Sequence, residues 1–260
     1  MSEKKVNGDA LGDRMKRYEN AYRAALPWRL PVVVRIDGRA FHTYTNGCER
    51  PFDARLVDAM DACAAAVCED AHGAALAYVQ SDEISVLLHG YRALDSQPWF
   101  DNGVQKIVSV AASLASAEMT ARSASIFGET KRAQFDARVF VLPEAEVCNY
   151  FIWRQQDAAR NAIQMMASAH YSHRELHCKN TNVMQEMLFQ RGVNFNDTPT
   201  RYKRGRCIVR EVFEVDGATR HRWAPDNEIP KFTQDRSYIE RHLATEPRDG
   251  AASAPPHVAD

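Results

Sequence analysis

The sequence predicts an α+β fold: a split βαβ, ferredoxin-like antiparallel sheet with helices on one face, followed by a helical and small β extension. Three observations predict it. Apolar, β-branched runs at 32–36, 77–79, 84–87 and 135–142 have the length and composition of buried strands. Two long stretches with apolar residues at helical spacing separate them, one between Asp53 and Gly73 and one over about 102–121. The resulting order is β–α–β–β–α–β. Finally, Asp37-Gly38 and Ser81-Asp82-Glu83 stand where strands must end. Many unrelated proteins share this layout, so it decides nothing about function alone.

Taken in order, residues 1–10 read as a loose polar arm. Residues 12–26 read as an amphipathic helix with Met15, Tyr18, Tyr22 and Leu26 near one face. Pro27 and Pro31 bracket a link into the first strand, and a polar loop with an Asn46-Gly47 turn follows it. Asp53 reads as the N-cap of a helix whose stripe is Leu56, Val57, Met60, Cys63, Ala64 and Val67, ended by Gly73. After the acidic hairpin comes a loop around Asp95 to Pro98. The second long helix turns Val104, Ile107, Val108, Ala111, Leu114 and Ala115 inward, and Pro143 stops the strand 135–142. Residues 144–190 carry helical patterning, and 206–215 form a strand that turns at Asp216-Gly217 and returns through Thr219 to Trp223. The expected organisation is a catalytic unit with its N-terminal helix over 1–145, an extension of the same globule over 146–244, and a disordered Ala-, Pro- and Gly-rich tail over 245–260.

Composition narrows the class. A chain of 260 residues with 45% hydrophobic and 26% charged residues has room for a sizeable core, which excludes wholesale disorder. A formal net charge of −1 means that any nucleic-acid surface must be a local basic patch. Six cysteines form no CxxC pair, and Cys63 and Cys68 sit in a helical alanine-rich run, as buried thiols in a reducing compartment do. No apolar run approaches the roughly 18 residues of a membrane span, and the N-terminus has no signal-like apolar region. A cytoplasmic protein without a membrane partner is expected.

The chemistry is expected at Asp37 and Asp82. In a split βαβ sheet the first strand lies beside the hairpin, so these strand-end carboxylates meet at one edge. Two such carboxylates repel unless a cation lies between them, which points to Mg²⁺ and, through it, nucleotide phosphates. The backbone N–H groups of Gly38, Arg39, Ala40, Phe41 and His42 would cup a triphosphate, with Gly38 allowing close approach. Each motif alone reads equally well as a solvated turn.

Read together, VVVRIDGRAFH, ERPFDARLVDAM, AYVQSDEISVLL, FDARVFVLP, YFIWRQQDA and YKRG resemble the tRNA-His guanylyltransferase family, and most closely its bacterial and archaeal guanylyltransferase-like branch of 3′–5′ RNA polymerases. The resemblance runs from about Gly12 to about Trp223. It implies a polymerase palm-like domain working with two Mg²⁺ ions, with ATP or GTP activating a tRNA 5′-monophosphate. The 3′-OH of an incoming nucleoside triphosphate then attacks the activated 5′ end. It implies Asp37, Asp82 and the carbonyl of Gly38 as metal ligands, and Glu83 in support of them or at the second metal. Arg39, Ala40, Phe41, His42 and Ser81 match triphosphate-binding positions, while Arg50 and Lys106 match basic positions that meet phosphates. Asp53 matches an acidic position near the nucleotide, in competition with its reading as an N-cap. Lys179 and Asn180 match a later Lys-Asn element near substrate phosphates. The family also implies a homotetramer, a dimer of dimers sharing one tRNA.

One departure bears on substrate. Eukaryotic members follow WRQ with a His-Ile-Asn-Asn helix motif that handles the 5′ end. Here Ala159 stands where the His falls, Asn161 is retained and Ala162 replaces the second Asn. This favours template-dependent repair of truncated tRNA 5′ ends over addition of G at position −1 of tRNA-His. A palm-fold nucleotide cyclase fits less well, because its GG[DE]EF-type hairpin is absent. A non-catalytic tRNA-binding module fits poorly with intact metal carboxylates.

Other groups carry weaker signals. Arg201, Lys203, Arg204 and Arg206, interleaved with Tyr202, form the densest basic run, read either as a solvated turn or as a phosphate contact. His170, His173 and His177 share one face if their helix persists; a solvated or RNA-facing cluster is preferred to a zinc site. Phe151, Trp153, Met165 and Met166 read as core, and Asp157 as a helix-surface ion pair.

Overall fold

The computed structural model describes residues 10–93 and 95–244; the expected N-terminal arm, apart from Ala10, and the expected tail lie outside the described residues. Strands β1 (Val32–Gly38), β2 (Ala74–Gln80), β3 (Glu83–Leu88), β4 (Phe135–Val141), β5 (Arg206–Val215) and β6 (Ala218–Asp226) form one sheet in the order β4-β1-β3-β2-β5-β6. Every pairing is antiparallel. The first four strands have the split βαβ order expected from the sequence.

Nine α-helical segments accompany the sheet among the described residues: α1 (Ala10–Asn20), α2 (Phe41–Tyr44), α3 (Ala54–Asp70), α4 (Val104–Phe127), α5 (Glu144–His170), α6 (His173–Leu176), α7 (Thr181–Gln190), α8 (Thr200–Lys203) and α9 (Ser237–Glu240). Alternation along β1 sends Val32, Val34 and Ile36 to one face, where Met60, Cys63 and Val67 of α3 and Ile107, Ala111 and Met119 of α4 cover them. Val33 faces the other side with Leu76, Tyr78 and Leu87, against Val147 and Phe151 of α5 and Phe232 and Ile239 from the C-terminal segment. The two helices of the βαβ unit therefore share one face, as expected, and the extension covers the second. Burial on both faces explains why these strands read as nearly continuous apolar runs.

Three differences have physical causes. Helix α1 ends at Asn20, well short of Leu26, and buries no residue. The chain after it is pinned in extended form instead: Leu26 N–H donates to Asn102 O at 2.9 Å and Val104 N–H to Ala24 O at 3.0 Å. Helix α4 runs to Phe127, where Gly128 caps it at φ 79°. Ser123, a weak helix former, is buried and accepts from Lys131 N–H at 2.8 Å. The expected small β extension is part of the main sheet: β5 pairs with β2 through Ala77 opposite Ile208, and the outer part of the β5–β6 hairpin projects with exposed residues.

Candidate active site

Asp37 lies next to the end of β1, with Glu83 as its register partner on β3 and Asp136 on β4. Asp82 immediately precedes Glu83, and Gly38 N–H donates to the Asp82 carbonyl at 3.1 Å. Strand pairing thus brings the two predicted carboxylates together. Burial, and then the charges of Asp37 and Glu83, raise the Asp82 carboxyl above the ordinary aspartate value. Among the described residues no group of three or more His, Cys, Asp or Glu side chains is arranged to hold a metal. Two carboxylates and a backbone carbonyl suit Mg²⁺, which takes one or two carboxylates and completes its shell with water and substrate phosphates. They do not suit a closed zinc site.

The loop after β1 differs in detail from the expected amide cup. Gly38 N–H is committed to Asp82, and Arg39 N–H donates to Gln134 O at 2.9 Å. The amides of Ala40, Phe41 and His42 have no acceptor among the described residues and remain to meet an anion. Ala40 sits at φ 54° to turn the chain into α2. Gly38 is required by packing: a Cβ there would fall 2.5 Å from Phe41 Cγ.

A cavity of about 570 Å³ opens beside this loop, lined by Gly38, His42, Ser81, Asp82 and Asn161 on its polar side and by Leu56, Met60 and Met165 on its apolar side. A second hollow of about 430 Å³ shares His42, Asp53, Ser81 and Asn161 with it and adds Arg50 and Gln164. The two make one cleft. Predicted nucleotide residues Gly38, Ala40, Phe41, His42, Arg50, Asp53, Ser81 and Asp82 all border it. Arg39 is exposed at the neighbouring turn and donates to Gln134 Oε1 at 3.2 Å. Asp53 is a cavity residue whose carboxylate is already engaged. It caps α3 through Arg55 N–H at 3.0 Å, accepts from Glu49 N–H at 3.0 Å and pairs with the Arg55 guanidinium at 2.7 Å. Those bonds, the Arg55 side chain foremost, hold its pKa at about 2.

The remaining predicted positions divide: Lys106 falls elsewhere, whereas Asn161, Arg201 and Arg206 border the cleft. Lys106 lies in the first turn of α4, beside Phe100, at the end of the sheet where Val32 pairs with Leu88. The Asp37–Glu83 pair is five residues away along β1, about 17 Å at about 3.3 Å per residue. Arg206 borders the cleft but is buried, and its guanidinium is already engaged by Asp61 and the Val57 carbonyl. Arg201 pairs with Asp58 at 2.5 Å and Asp61 at 3.6 Å. Lys203 donates to Asn196 O at 2.6 Å. Asn180 is the N-cap of α7, accepting from Val183 N–H at 3.0 Å. Asn161 faces the cavity, and its amide reaches Gln80 Oε1 at 3.5 Å. Lys179 is exposed and Arg204 half-buried, both without a side-chain partner among the described residues. The histidine face does not form: α5 ends at His170, Ser172 starts α6 with a capping box, and His177 lies beyond it. Trp153 is half-exposed, not core, with the Arg154 guanidinium 4.3 Å from its ring centre.

Sequence reasoning missed Arg35 and Arg154. Both donate to Glu83, Arg35 at 2.7 Å and Arg154 through two nitrogens at 2.7 and 2.5 Å. The available signal was an arginine inside the apolar run VVVRIDG, two residues before Asp37 and therefore on the same face. Asp157 pairs with Arg154 and Arg160, each at 2.8 Å, and so is more than a surface pair.

A family model described as tRNAHis guanylyltransferase matches residues 12–143. A probable tRNA(His) guanylyltransferase of Dictyostelium discoideum is 30% identical over 210 residues, which cover 73% of this chain and 80% of that protein. Among solved structures, a bacterial tRNA(His) guanylyltransferase-like protein in complex with ATP is 47% identical with a TM-score of 0.84, covering 90% of this chain and 99% of its own. Its counterpart in complex with GTP has a TM-score of 0.80 at the same identity and coverage. No helix among the described residues is long and apolar enough to cross a membrane, and all six cysteines are free thiols.

Proposed function

This chain belongs to the tRNA-His guanylyltransferase family, and from that premise we propose that it is a Mg²⁺-dependent nucleotidyltransferase that repairs tRNA 5′ ends in the 3′–5′ direction under the direction of a template. The observation that carries the reading is the juxtaposition of Asp37 with Asp82, which lines a cleft together with Gly38 and a loop that offers the unpaired amides of Ala40, Phe41 and His42. Asp37, Asp82 and the Gly38 carbonyl would hold the metal. When bound, Mg²⁺ would supply Lewis-acid activation of the attacking oxygen and offset charge on the leaving phosphate.

The amides of Ala40, Phe41 and His42 hold the triphosphate, and Arg39 and Arg50 border its path. In the first step an oxygen of the RNA 5′-monophosphate attacks the α-phosphate of ATP or GTP and pyrophosphate leaves. In the second, the 3′-OH of an incoming nucleoside triphosphate attacks the RNA 5′-phosphate and the nucleoside monophosphate leaves. Orientation by these fixed groups supplies much of the rate, since no side-chain nucleophile is needed.

Template dependence is supported by what lines α5. Ala159 and Ala162 carry no hydrogen-bonding side chain, which leaves Asn161 and Gln164 as the α5 amides that line the cleft. Base choice therefore falls to pairing with the opposite strand. The second reading, addition of G at position −1 of tRNA-His, is favoured by the names of the eukaryotic relatives. A homotetramer is supported by the apolar residues of α1, Leu11, Met15 and Tyr18, which stand exposed. RNA substrates and free thiols fit a cytoplasmic protein.

The test uses 5′-monophosphorylated tRNA lacking its first nucleotide, with Mg²⁺, ATP and all four nucleoside triphosphates, while the base opposite the gap is varied. Addition that follows the template base is expected and should vanish with EDTA or in Asp37→Asn and Asp82→Asn. Addition of G to full-length tRNA-His regardless of template supports the second reading. A cyclic nucleotide made without RNA, or binding without any product, refutes both.

A further inference from the structure

We propose that Arg154 is a positioning residue for the metal turn: it holds both carboxylate oxygens of Glu83 and so fixes Asp82 against Asp37. This rests on the reading of Asp37 and Asp82 as the Mg²⁺ ligands. Glu83 Oε1 accepts from Arg154 Nε at 2.7 Å and from Ser85 Oγ at 3.4 Å. Its Oε2 accepts from Arg154 at 2.5 Å, Arg35 at 2.7 Å and Gln80 at 3.2 Å. Five protein donors occupy about four lone-pair directions, and the two partners are only 4% and 5% exposed at their side chains. Glu83 is thereby a buried anchor, with no oxygen left for a metal.

The anchor matters because of where it sits. Glu83 is the first residue of β3 and the register partner of Asp37, while Asp82 directly precedes it in the turn. Ser81 in that turn has φ 47°, a left-handed conformation that a non-glycine residue keeps only when its surroundings impose it. Helix α5 imposes it twice, through Arg154 on Glu83 and through Asn161 on Gln80. Arg154 is itself aimed by Asp157 at 2.8 Å and by the Trp153 ring. Lysine cannot reproduce the two-nitrogen grip.

The test measures Mn²⁺ affinity of the purified protein by electron paramagnetic resonance and calorimetry, without RNA or turnover, beside ATP affinity and melting temperature. Arg154→Met should weaken Mn²⁺ binding at least about tenfold while the protein stays folded, and Arg154→Lys should fall between it and the parent. Glu83→Gln should weaken binding by a similar factor, and the double variant no further, because the two residues act as one unit. If Arg154→Met does not fold, Arg154→Lys and Glu83→Gln carry the comparison. Mn²⁺ affinity within twofold of the parent in the Arg154 variants, with Glu83→Gln strongly impaired, overturns the proposal and makes Glu83 a ligand. Binding that is absent from the parent, or unchanged in Asp37→Asn and Asp82→Asn, overturns the metal assignment itself and the proposal with it.

Discussion

The Phe41 ring occupies the space that a side chain at Gly38 would need, with the ring carbon Cγ 2.5 Å from where the Cβ would fall. Phe41 is buried and packs in turn on Tyr44 and Phe135, with ring centres 4.7 and 4.9 Å away. The glycine at the end of β1 therefore lets the following loop fold back onto the core. Its role is as much packing as close approach to a ligand.

Gly38→Ala should accordingly displace Phe41 and cost about 1–3 kcal/mol, the usual range for overpacking. Nucleotide affinity should fall with it, since Ala40, Phe41 and His42 move as a unit. Adding Phe41→Leu should recover part of the lost stability. Calorimetric melting of the two single variants and the double variant checks this, and additive losses would refute the contact.

Asp53 links helix α3 to the cleft, and its acidity gives a pH signature. Its pKa is depressed to about 2 in the fold, against about 3.9 in an unfolded chain. A depressed carboxylate stabilises the fold above the unfolded value and loses that contribution as pH falls towards the folded one. Asp53→Ala should therefore cost about 1 kcal/mol at pH 7 as a lost N-cap. The deficit should shrink between about pH 4 and pH 2 in denaturant melts; a gap constant across that window would contradict the assignment.

Arg206 and Asp61 form a buried ion pair. Arg206→Met alone leaves Asp61, whose pKa burial already raises, with only the longer contact to Arg201, and should cost about 3 kcal/mol. Arg206→Met with Asp61→Asn should recover most of that loss. RNA affinity measured on the folded double variant should stay within about twofold of the parent. A large specific loss of RNA binding would return Arg206 to the substrate surface.

Arg50 borders the cleft, whereas Lys106 stands at the other end of the sheet. Arg50→Ala should weaken ATP binding about fivefold to tenfold, a loss of roughly 1–1.4 kcal/mol suited to one exposed charge-assisted contact. Lys106→Ala should leave ATP affinity unchanged. Titration calorimetry on both variants decides it, and the reverse ranking would contradict the geometry.

Much of the scaffold was legible in the sequence because its signals are local. The β-branched run before Asp37-Gly38, the stripe after Asp53 and the Asp216-Gly217 turn each depend on neighbours a few residues away, and each forms as read. The histidine face and the N-terminal helix misled because periodicity does not report what a stripe packs against. Ser172 offers a competing cap, and the chain from Ala24 to Leu26 finds a better partner at Asn102 to Val104.

By itself the sequence determined the strands, the long helices and the two carboxylates at adjacent strand ends. It also carried the motifs of the family. Only the tertiary structure decided which cations are free to meet phosphate. Arg206 is paired with a carboxylate 145 residues earlier and Arg154 with one 71 residues earlier. An arginine looks the same in sequence whether it is paired or free. Its role depends on which acid the fold buries beside it, because a charge out of water must be matched by contact.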